Sequence, residues 1–246
     1  MDRLLYIAMS GANAAMTAQA VNAHNLANAS TTGFKADMAM FGKAQVVGPG
    51  HSSRTFVQLE GTRADMVAGT TQTTGRELDV SVNGRGWIAV QAPDGGEAYT
   101  RRGDLRLDEF GLLTNGAGMP VLGNAGPIAV PPNAKLEIGG DGTISVLPIG
   151  QNPNTLAVVD RIKLVTLDEA NLAKDADGML RTADGEPTPP DASVRVVSGS
   201  LETSNVNAIE SMVRMIELAR SFEAQVKMMK TAEENDRNSS QIMRMS

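Results

Sequence analysis

Residues 204–241 read SNVNAIESMVRMIELARSFEAQVKMMKTAEENDRNSSQ and contain neither proline nor glycine. Apolar side chains recur there at alternating steps of three and four, a mean period of about 3.5 residues that is typical of helices packing in coiled coils. The positions of this C-terminal seam are Met212, Met215, Ala219, Phe222, Val226 and Met229. Ile209, Val213 and Ile216 widen the apolar stripe at its front end. The pattern predicts a long helix, and its packing partner decides what the chain does.

The start of this helix is marked by residues that favour a helix N-terminus. Asn207 followed three positions later by Glu210 predicts a capping box, in which each side chain bonds a free backbone amide of the first turn. The opposite face carries Glu210–Arg214 and Glu223–Lys227 pairs, each contributing a few tenths of a kcal/mol. We therefore expect the helix to begin close to Asn207.

A second seam lies at the other end of the chain, from Leu5 to Leu26. Its positions are Leu5, Met9, Ala12, Met16, Gln19, Ala23 and Leu26. The segment is rich in alanine and interrupted by Gly11, so as an isolated helix it should be marginal. Two arrangements are open at this point. The terminal helices could pair within one chain as a hairpin, or pack against neighbouring copies in an assembly.

Composition and charge exclude several classes of protein. Aromatic residues make up only 3% of the 246 residues and the net charge is −6, which argues against a nucleic-acid surface or an anionic membrane as partner. The chain has no cysteine, so disulfides and thiolate chemistry are absent. No apolar run approaches the length of about 18 residues that a transmembrane helix needs. The apolar run 4–9 is also shorter than a secretory signal requires, and we expect no cleaved signal peptide.

The middle of the chain predicts an α + β protein with a central all-β domain. Short apolar runs at a spacing of 8–12 residues, separated by Gly, Pro and Asp turns, indicate a sandwich or small barrel. Asn83-Gly84-Arg85-Gly86 predicts a hairpin turn, and Asp141-Gly142 predicts another. The predicted organisation is listed in chain order: 1–35 N-terminal helix and signature, 36–75 extended linker, 76–197 central β domain, 198–246 C-terminal helix.

Known catalytic, cofactor and metal motifs are not matched. The GxG within residues 83–86 lies between strands, where a dinucleotide motif needs a strand-to-helix turn. Residues 175–186 resemble a calcium loop at three positions but carry Leu180 where glycine is required. His24 and His51 each stand alone in the sequence, and a structural role is the better interpretation for both. The acidic residues near Asp104 are interpreted as a solvated turn. We expect no catalytic residue, cofactor or metal.

Three blocks of sequence closely resemble the bacterial flagellar rod and hook family. They are, in chain order, NLANASTTGFK at 25–35; LDVSVNGRGW at 78–87 with YTRRG at 99–103 and DEFG at 108–111; and GSLETSNVNA at 199–208 leading into MVRMIE at 212–217. The blocks cover both ends and the middle of the chain in the order the family has them. Within the family, Ala29-Ser30 and the modest central domain are most similar to proximal rod members, with distal rod members as the alternative.

This resemblance implies a structural subunit of the flagellar basal body and not an enzyme. The terminal helices would form a coiled-coil-like layer around a central channel, adding Asn28, Gly33 and Phe34 to the seam residues as assembly positions. The partners implied are other rod proteins, further copies of the chain and the type III export apparatus, with assembly in the periplasm. Outside the family, the competing hypothesis is a ligand-binding β domain dimerised by its helices.

Overall fold

The computed structural model describes residues 3–45, 55–150, 156–168, 171–175 and 178–245. Within them the chain is α + β, with one helix at each end and sixteen short strands between the helices. This confirms the predicted fold class at that level. His51, for which a structural role is predicted, lies outside the described residues.

The described residues divide into two compact units. The helical unit takes the chain up to Ala29, the segment within 36–65, and everything from Val206 onward. The β unit takes 30–35 and 66–205. The elements of the helical unit are α1 (Arg3–Ala27), β1 (Asp37–Gln45), β2 (Thr55–Ala64) and α2 (Ala208–Met245).

Helix α2 runs for 38 residues without a break, about 57 Å at 1.5 Å per residue. Asn207 caps it as predicted, because its Oδ1 accepts hydrogen bonds from the backbone nitrogens of Ile209 and Glu210 at 3.0 and 3.3 Å. Continuity follows from the sequence, which offers no proline or glycine after Gly199. Neither described helix is both long and apolar enough to cross a membrane.

The two helices pair within the chain and run antiparallel. Asn22 of α1 donates from Nδ2 to the carbonyl oxygen of Ser211 near the start of α2, at 2.7 Å. Nearer the start of α1, a Cβ added to Gly11 would lie 2.9 Å from Cδ of Gln225. Early residues of one helix therefore meet later residues of the other. Of the two arrangements left open by the sequence, the hairpin within one chain is the one present here.

Residues 36–75, predicted as an extended linker, contain a β-hairpin. Strands β1 and β2 pair antiparallel, with a register shift between Met40 and Phe41, and both contact α1. The sequence did not predict this hairpin because the alternation that marks a strand is weak in this stretch. Its outer face is also apolar, with Met38 and Met40 exposed, so the two faces do not differ clearly in polarity.

The β unit is built from small antiparallel sheets around one hydrophobic core. Its strands are β3 (Thr71–Thr73), β4 (Val80–Asn83), β5 (Trp87–Gln91), β6 (Glu97–Thr100), β7 (Arg106–Leu107), β8 (Leu113–Thr114), β9 (Asn133–Ile138), β10 (Thr143–Pro148), β11 (Ala157–Arg161), β12 (Leu164–Val165), β13 (Leu172–Lys174), β14 (Leu180–Thr182), β15 (Arg195–Ser198) and β16 (Ser200–Glu202). The largest sheet has the order β12-β5-β6-β14-β13, and another has the order β11-β10-β9.

One of the two predicted hairpins is present and the other is wrong. The Asp141-Gly142 turn joins β9 to β10, which pair antiparallel, and Gly142 has the positive φ of 86° that such a turn favours. Strands β4 and β5, on either side of residues 83–86, do not pair with each other. Strand β4 pairs with β15, and β5 pairs with β6 and β12. The intervening loop therefore carries the chain between sheets.

Candidate functional site

The structure distributes the predicted N-terminal assembly residues over two sides of α1. Ala12 is buried, whereas Leu5, Leu26 and Asn28 are half-buried. Met9 and Met16, by contrast, are exposed. Gly11 and Asn22 of α1 contact α2, and the buried Ala8 and Ala15 share their side of the helix, at steps of three, four and seven along 8, 11, 15 and 22. Small residues let two helix backbones approach closely, which explains why this side of α1 lacks the methionines.

The predicted C-terminal seam is displaced by one position at its front end. Met215, Ala219, Phe222, Val226 and Met229 are half-buried, but Met212 is 54% exposed. The most buried positions of α2 are instead Ser211 and Ala232. Ser211 and Gln225 contact α1, and the half-buried or buried positions 215, 218, 222, 229 and 232 share their face in steps of four and three. Met215, Phe222 and Met229 belong both to the predicted seam and to this face, whereas Ser211 and Gln225 are polar and gave no apolar signal.

A buried ion cluster lies in the β unit, formed by Lys35, Arg101 and Glu202. Nζ of Lys35 is 2.7 Å from Oε1 of Glu202, and Nη1 of Arg101 is 3.0 Å from Oε2. The three side chains are only 4%, 7% and 3% exposed. Both carboxylate oxygens are therefore paired with a cation, which is the condition under which buried charges are tolerated.

Backbone groups complete the cluster. Gly69 donates its amide to Oε1 of Glu202 at 3.0 Å. Lys35 donates to the carbonyl of Val67 at 2.9 Å, and Arg101 donates from Nη2 to the carbonyl of Gly84 at 2.7 Å. The second positive charge, which the single carboxylate does not balance, is thus placed against carbonyl oxygens. Trp87 adds its ring, whose centroid is 6.0 Å from Nζ of Lys35 and 5.0 Å from Cζ of Arg101.

Gly33 connects the motif at residues 25–35 to this cluster. Its amide donates to the carbonyl oxygen of Glu202 at 2.8 Å. Its φ is +65°, and a Cβ at this position would lie 2.3 Å from the carbonyl carbon of Arg101. Glycine is required here both for the backbone conformation and for the close approach. The next residue is Phe34, and Nζ of Lys174 lies 4.5 Å from the centroid of its ring.

Asp104 forms a second charged contact in the β unit and is not the solvated turn residue that the sequence suggested. Nε of Arg102 donates to Oδ1 at 2.8 Å and Nη2 donates to Oδ2 at 3.1 Å, a two-point contact. Burial is the largest cause and would raise the pKa of Asp104, but the hydrogen bond and charge of Arg102, together with hydrogen bonds from the Asp104 backbone and Thr32, outweigh it. The pKa of Asp104 is therefore held below its ordinary value.

A cavity of about 630 Å³ lies beside the ion cluster. Its wall includes Trp87, Arg101 and Glu202. Arg101 and Glu202 in this wall are already paired with each other, and of the Arg101 nitrogens only Nε lacks a hydrogen-bond partner. Throughout the part of the chain that the structure describes, no group of three or more His, Asp or Glu residues could hold a metal ion.

Comparison with known proteins gives a match in each of the three parts of the chain. Family models described as "Flagella basal body rod protein", "Flagellar hook protein FlgE/F/G D1 domain" and "Flagellar basal body rod FlgEFG protein C-terminal" match residues 5–35, 81–146 and 197–242. The flagellar basal-body rod protein FlgF of Salmonella typhimurium is 42% identical over the full length of both chains. The chain belongs to the flagellar basal-body rod protein family. The FlgF of Escherichia coli is 43% identical over the full length of both chains.

FlgG rod proteins are less similar to this chain than the two FlgF proteins named above. The flagellar basal-body rod protein FlgG of Bacillus subtilis is 32% identical, over 95% of this chain and 96% of that one. The FlgF proteins of Salmonella and Escherichia coli, at 42% and 43% identity, exceed that value by about a third. The comparison therefore supports a position among FlgF-like members of the rod family.

The blocks that carry the family resemblance meet in three dimensions at the ion cluster. Lys35 comes from the first block, Trp87 and Arg101 from the second, and Glu202 from the third. Sequence reasoning quoted these residues as parts of motifs but did not predict that they touch. The available signal was that the first block and residues 199–208 of the third each carry a single charged residue, Lys35 and Glu202, since buried charges are stable only with partners.

Proposed function

We propose that this chain is a structural subunit of the bacterial flagellar basal-body rod, in its proximal part. The observation that carries the proposal is the match of 42% and 43% identity, over the full length of both chains, to two FlgF rod proteins. Family models that together reach from residue 5 to 242 support the same conclusion. A distal rod position is not favoured, because the FlgG relatives are less identical.

In the assembled rod, we expect the terminal helices to form a coiled-coil-like layer and the β unit to act as a sandwich- or barrel-like domain. The support for the helical layer is the 3.5-residue spacing of both helices and the apolar side chains left exposed after they pair. The support for the β domain is its set of short antiparallel strands around one core.

The predicted assembly residues divide into two roles under this proposal. Met9, Met16 and Met212 are exposed and could contact a neighbouring subunit directly. The half-buried seam positions, together with buried Ala12, would stabilise the intrachain pair and set the position of those methionines. Gly33 acts inside the β unit through its hydrogen bond to Glu202. Exposed apolar side chains on one element are typical of surfaces that become buried on assembly.

Partners and location follow from family membership. The chain would assemble with other rod proteins and with further copies of itself, in the periplasmic part of the basal body, after export by the flagellar type III apparatus. Its role is mechanical, and the proposal assigns it no reaction and no cofactor. The buried ion cluster fits such a role, because it joins distant parts of one subunit without leaving a reactive group exposed.

The proposal is tested in cells whose own copy of this gene has been deleted. Basal bodies purified from cells that express the chain with a short epitope tag should contain it in stoichiometric amounts, and the cells should swim. The deletion strain should make incomplete rods without hooks in electron micrographs. Complete hook–basal bodies in the deletion strain, or tagged chain that stays outside purified basal bodies, would contradict the proposal.

A further inference from the structure

Helix α2 carries a second apolar face near its start, here called the α2 stripe. Ile209, Met212, Val213 and Ile216 follow the spacing i, i+3, i+4, i+7 and are between 53% and 76% exposed. At 100° per residue the centre of the stripe lies roughly 150° around the helix from Ser211, whose backbone carbonyl accepts a hydrogen bond from Asn22 of α1. The front of α2 therefore has apolar side chains on two opposite faces, of which the chain itself covers one.

The helical unit also contains an apolar groove between α1 and the β1–β2 hairpin. Its volume is about 420 Å³. The large apolar side chains that line it are Tyr6, Met9, Phe41, Val57 and Leu59, which are between 39% and 44% exposed. None of its lining residues carries a charge. A charged partner would lose its hydration in this groove without gaining an ion pair, so the groove favours an apolar occupant.

The groove and the α2 stripe lie on opposite sides of the helical unit. On α1, Tyr6 and Asn13 line the groove, and they lie roughly 180° around the helix from Ala8 and Ala15 on the side that faces α2. The order across the unit is therefore hairpin and groove, α1, α2, and the stripe. One molecule cannot place its own stripe in its own groove without breaking the α1–α2 pair.

We propose that the groove of one copy binds the α2 stripe of a second copy of this chain. The inference rests on the proposed function and names the contact through which it operates. The stripe has the anchor spacing of helices that bind apolar grooves. Because the two surfaces differ and face opposite directions, the contact is head-to-tail and leaves a free groove and a free stripe at the ends of every pair. Such a contact extends an open assembly, as a rod requires.

The absence of cysteine in the natural chain allows a direct crosslinking test. Leu59→Cys places a thiol in the groove, and Met212→Cys places one in the stripe. The two variants, with tags of different size, are expressed together in cells lacking the native gene, and basal bodies are purified and oxidised mildly. We expect a disulfide-linked species containing both tags. The matched control pairs Met212→Cys with Phe110→Cys, whose position in the β unit is 92% exposed, and should give no such species.

A charge substitution in the stripe provides the second arm of the test. Val213→Glu in the Met212→Cys chain should lower the yield of the mixed species by about tenfold or more, because the groove would receive an unpaired carboxylate. Ser221→Glu, on an exposed position of α2 outside the stripe, should leave the yield unchanged. Both positions are exposed in the single chain, so neither change should unfold it.

The outcomes separate this inference from the proposed function. Tagged chains present in basal bodies without the mixed species would overturn the inference and leave the rod assignment standing. A Met212→Cys crosslink to a protein of different mass, or an equal yield with Phe110→Cys, would overturn it as well. Chains absent from basal bodies altogether would overturn the rod assignment and this inference with it.

Discussion

Glu202 and Lys35 are separated by 167 positions in sequence, yet their charged atoms are 2.7 Å apart where both side chains are almost fully buried. Arg101 reaches the other oxygen of the same carboxylate at 3.0 Å. Within the β unit, the pair therefore joins the segment that follows α1 to the segment that precedes α2, and Arg101 supplies the third member. In a subunit that transmits mechanical load, such a contact would resist separation of these segments.

Removing the carboxylate should be strongly destabilising. Glu202→Gln keeps the size of the side chain but leaves Lys35 and Arg101 buried without a counter-charge, and we expect a loss of about 3–5 kcal/mol in the free energy of unfolding. Urea denaturation of the full chain measures this loss. Glu137→Gln is the matched control, because Glu137 pairs with Lys135 on the exposed surface, and it should change little. Similar midpoints for the two variants would show that the cluster does not stabilise the fold.

Substitution of Gly33 should reveal how tightly residues 25–35 pack against the backbone of Arg101. Gly33→Ala introduces a Cβ against the backbone of Arg101 at 2.3 Å in addition to an unfavourable φ of +65°. Gly118→Ala serves as control, since Gly118 has a φ of +80° but open space where the Cβ would lie. The control should cost about 1–2 kcal/mol, and Gly33→Ala should cost clearly more. Thermal denaturation of both variants compares them, and equal losses would mean that the close approach is relieved without cost.

The local features of the fold could be predicted from the sequence, and the contacts between distant segments could not. The start of α2 at Asn207 and the turn at Asp141-Gly142 depend on neighbouring residues, so their patterns were sufficient. The pairing partner of β4 depends on the core as a whole. The turn residues 83–86 predicted that β4 pairs with β5, but its partner is β15. The ion cluster was missed for the same reason, because no local pattern records which buried charges will meet.

The displaced seam on α2 has a different cause. A search by hydrophobicity assigns Met212 to the interface and Ser211 to the surface, but Ser211 accepts the hydrogen bond from Asn22 through its backbone carbonyl. A small polar side chain at that position lets α1 approach, while Met212 remains exposed. Packing against an alanine-rich helix depends on side-chain size as well as on polarity. The predicted seam was based on the spacing of apolar residues and took no account of their size.

Acidification should weaken the contribution of Asp104 to stability. Its pKa is lowered in the folded chain, so the stabilisation is present above the ordinary Asp value of about 3.9 and is lost as the pH falls through the lowered pKa. The stability difference between the native chain and Asp104→Asn should therefore shrink from about pH 6 to about pH 3. Urea denaturation at a series of pH values measures it.

Arg102 provides the control for that pH dependence. An Arg102→Gln background removes the hydrogen bond and the charge that oppose burial most strongly, so the pKa of Asp104 should rise. The effect of Asp104→Asn should then diminish less on acidification. An unchanged pH dependence in this background would show that Arg102 is not responsible for the lowered pKa.

The α1–α2 pair should depend on the small buried residues of α1. Ala8→Asp places a carboxylate at a position that is almost fully buried, and we expect a loss of about 3 kcal/mol or more in helical-unit stability. Ala20→Asp makes the same chemical change at an exposed position of the same helix, so it controls for helix propensity. Circular dichroism during heating reports the loss of helix. If both variants melt together, the side of α1 assigned to α2 is wrong.

Hydrogen exchange on the purified monomer should show a gradient of protection along α2. The intrachain pair ends near Ala232, which is buried, whereas every described side chain from Glu233 to Arg244 is exposed. Amides beyond Ala232 have no packed partner to resist local opening, so they should exchange fastest. Amides of 211–232 should exchange more slowly, and those of Ile88 and Val90 in the core of the β unit slowest of all.

Mass spectrometry of peptides from a chain shown to be monomeric by sedimentation measures this order. Equal protection along the whole of α2 would contradict it, because the last turns would then need a partner that the single chain does not supply.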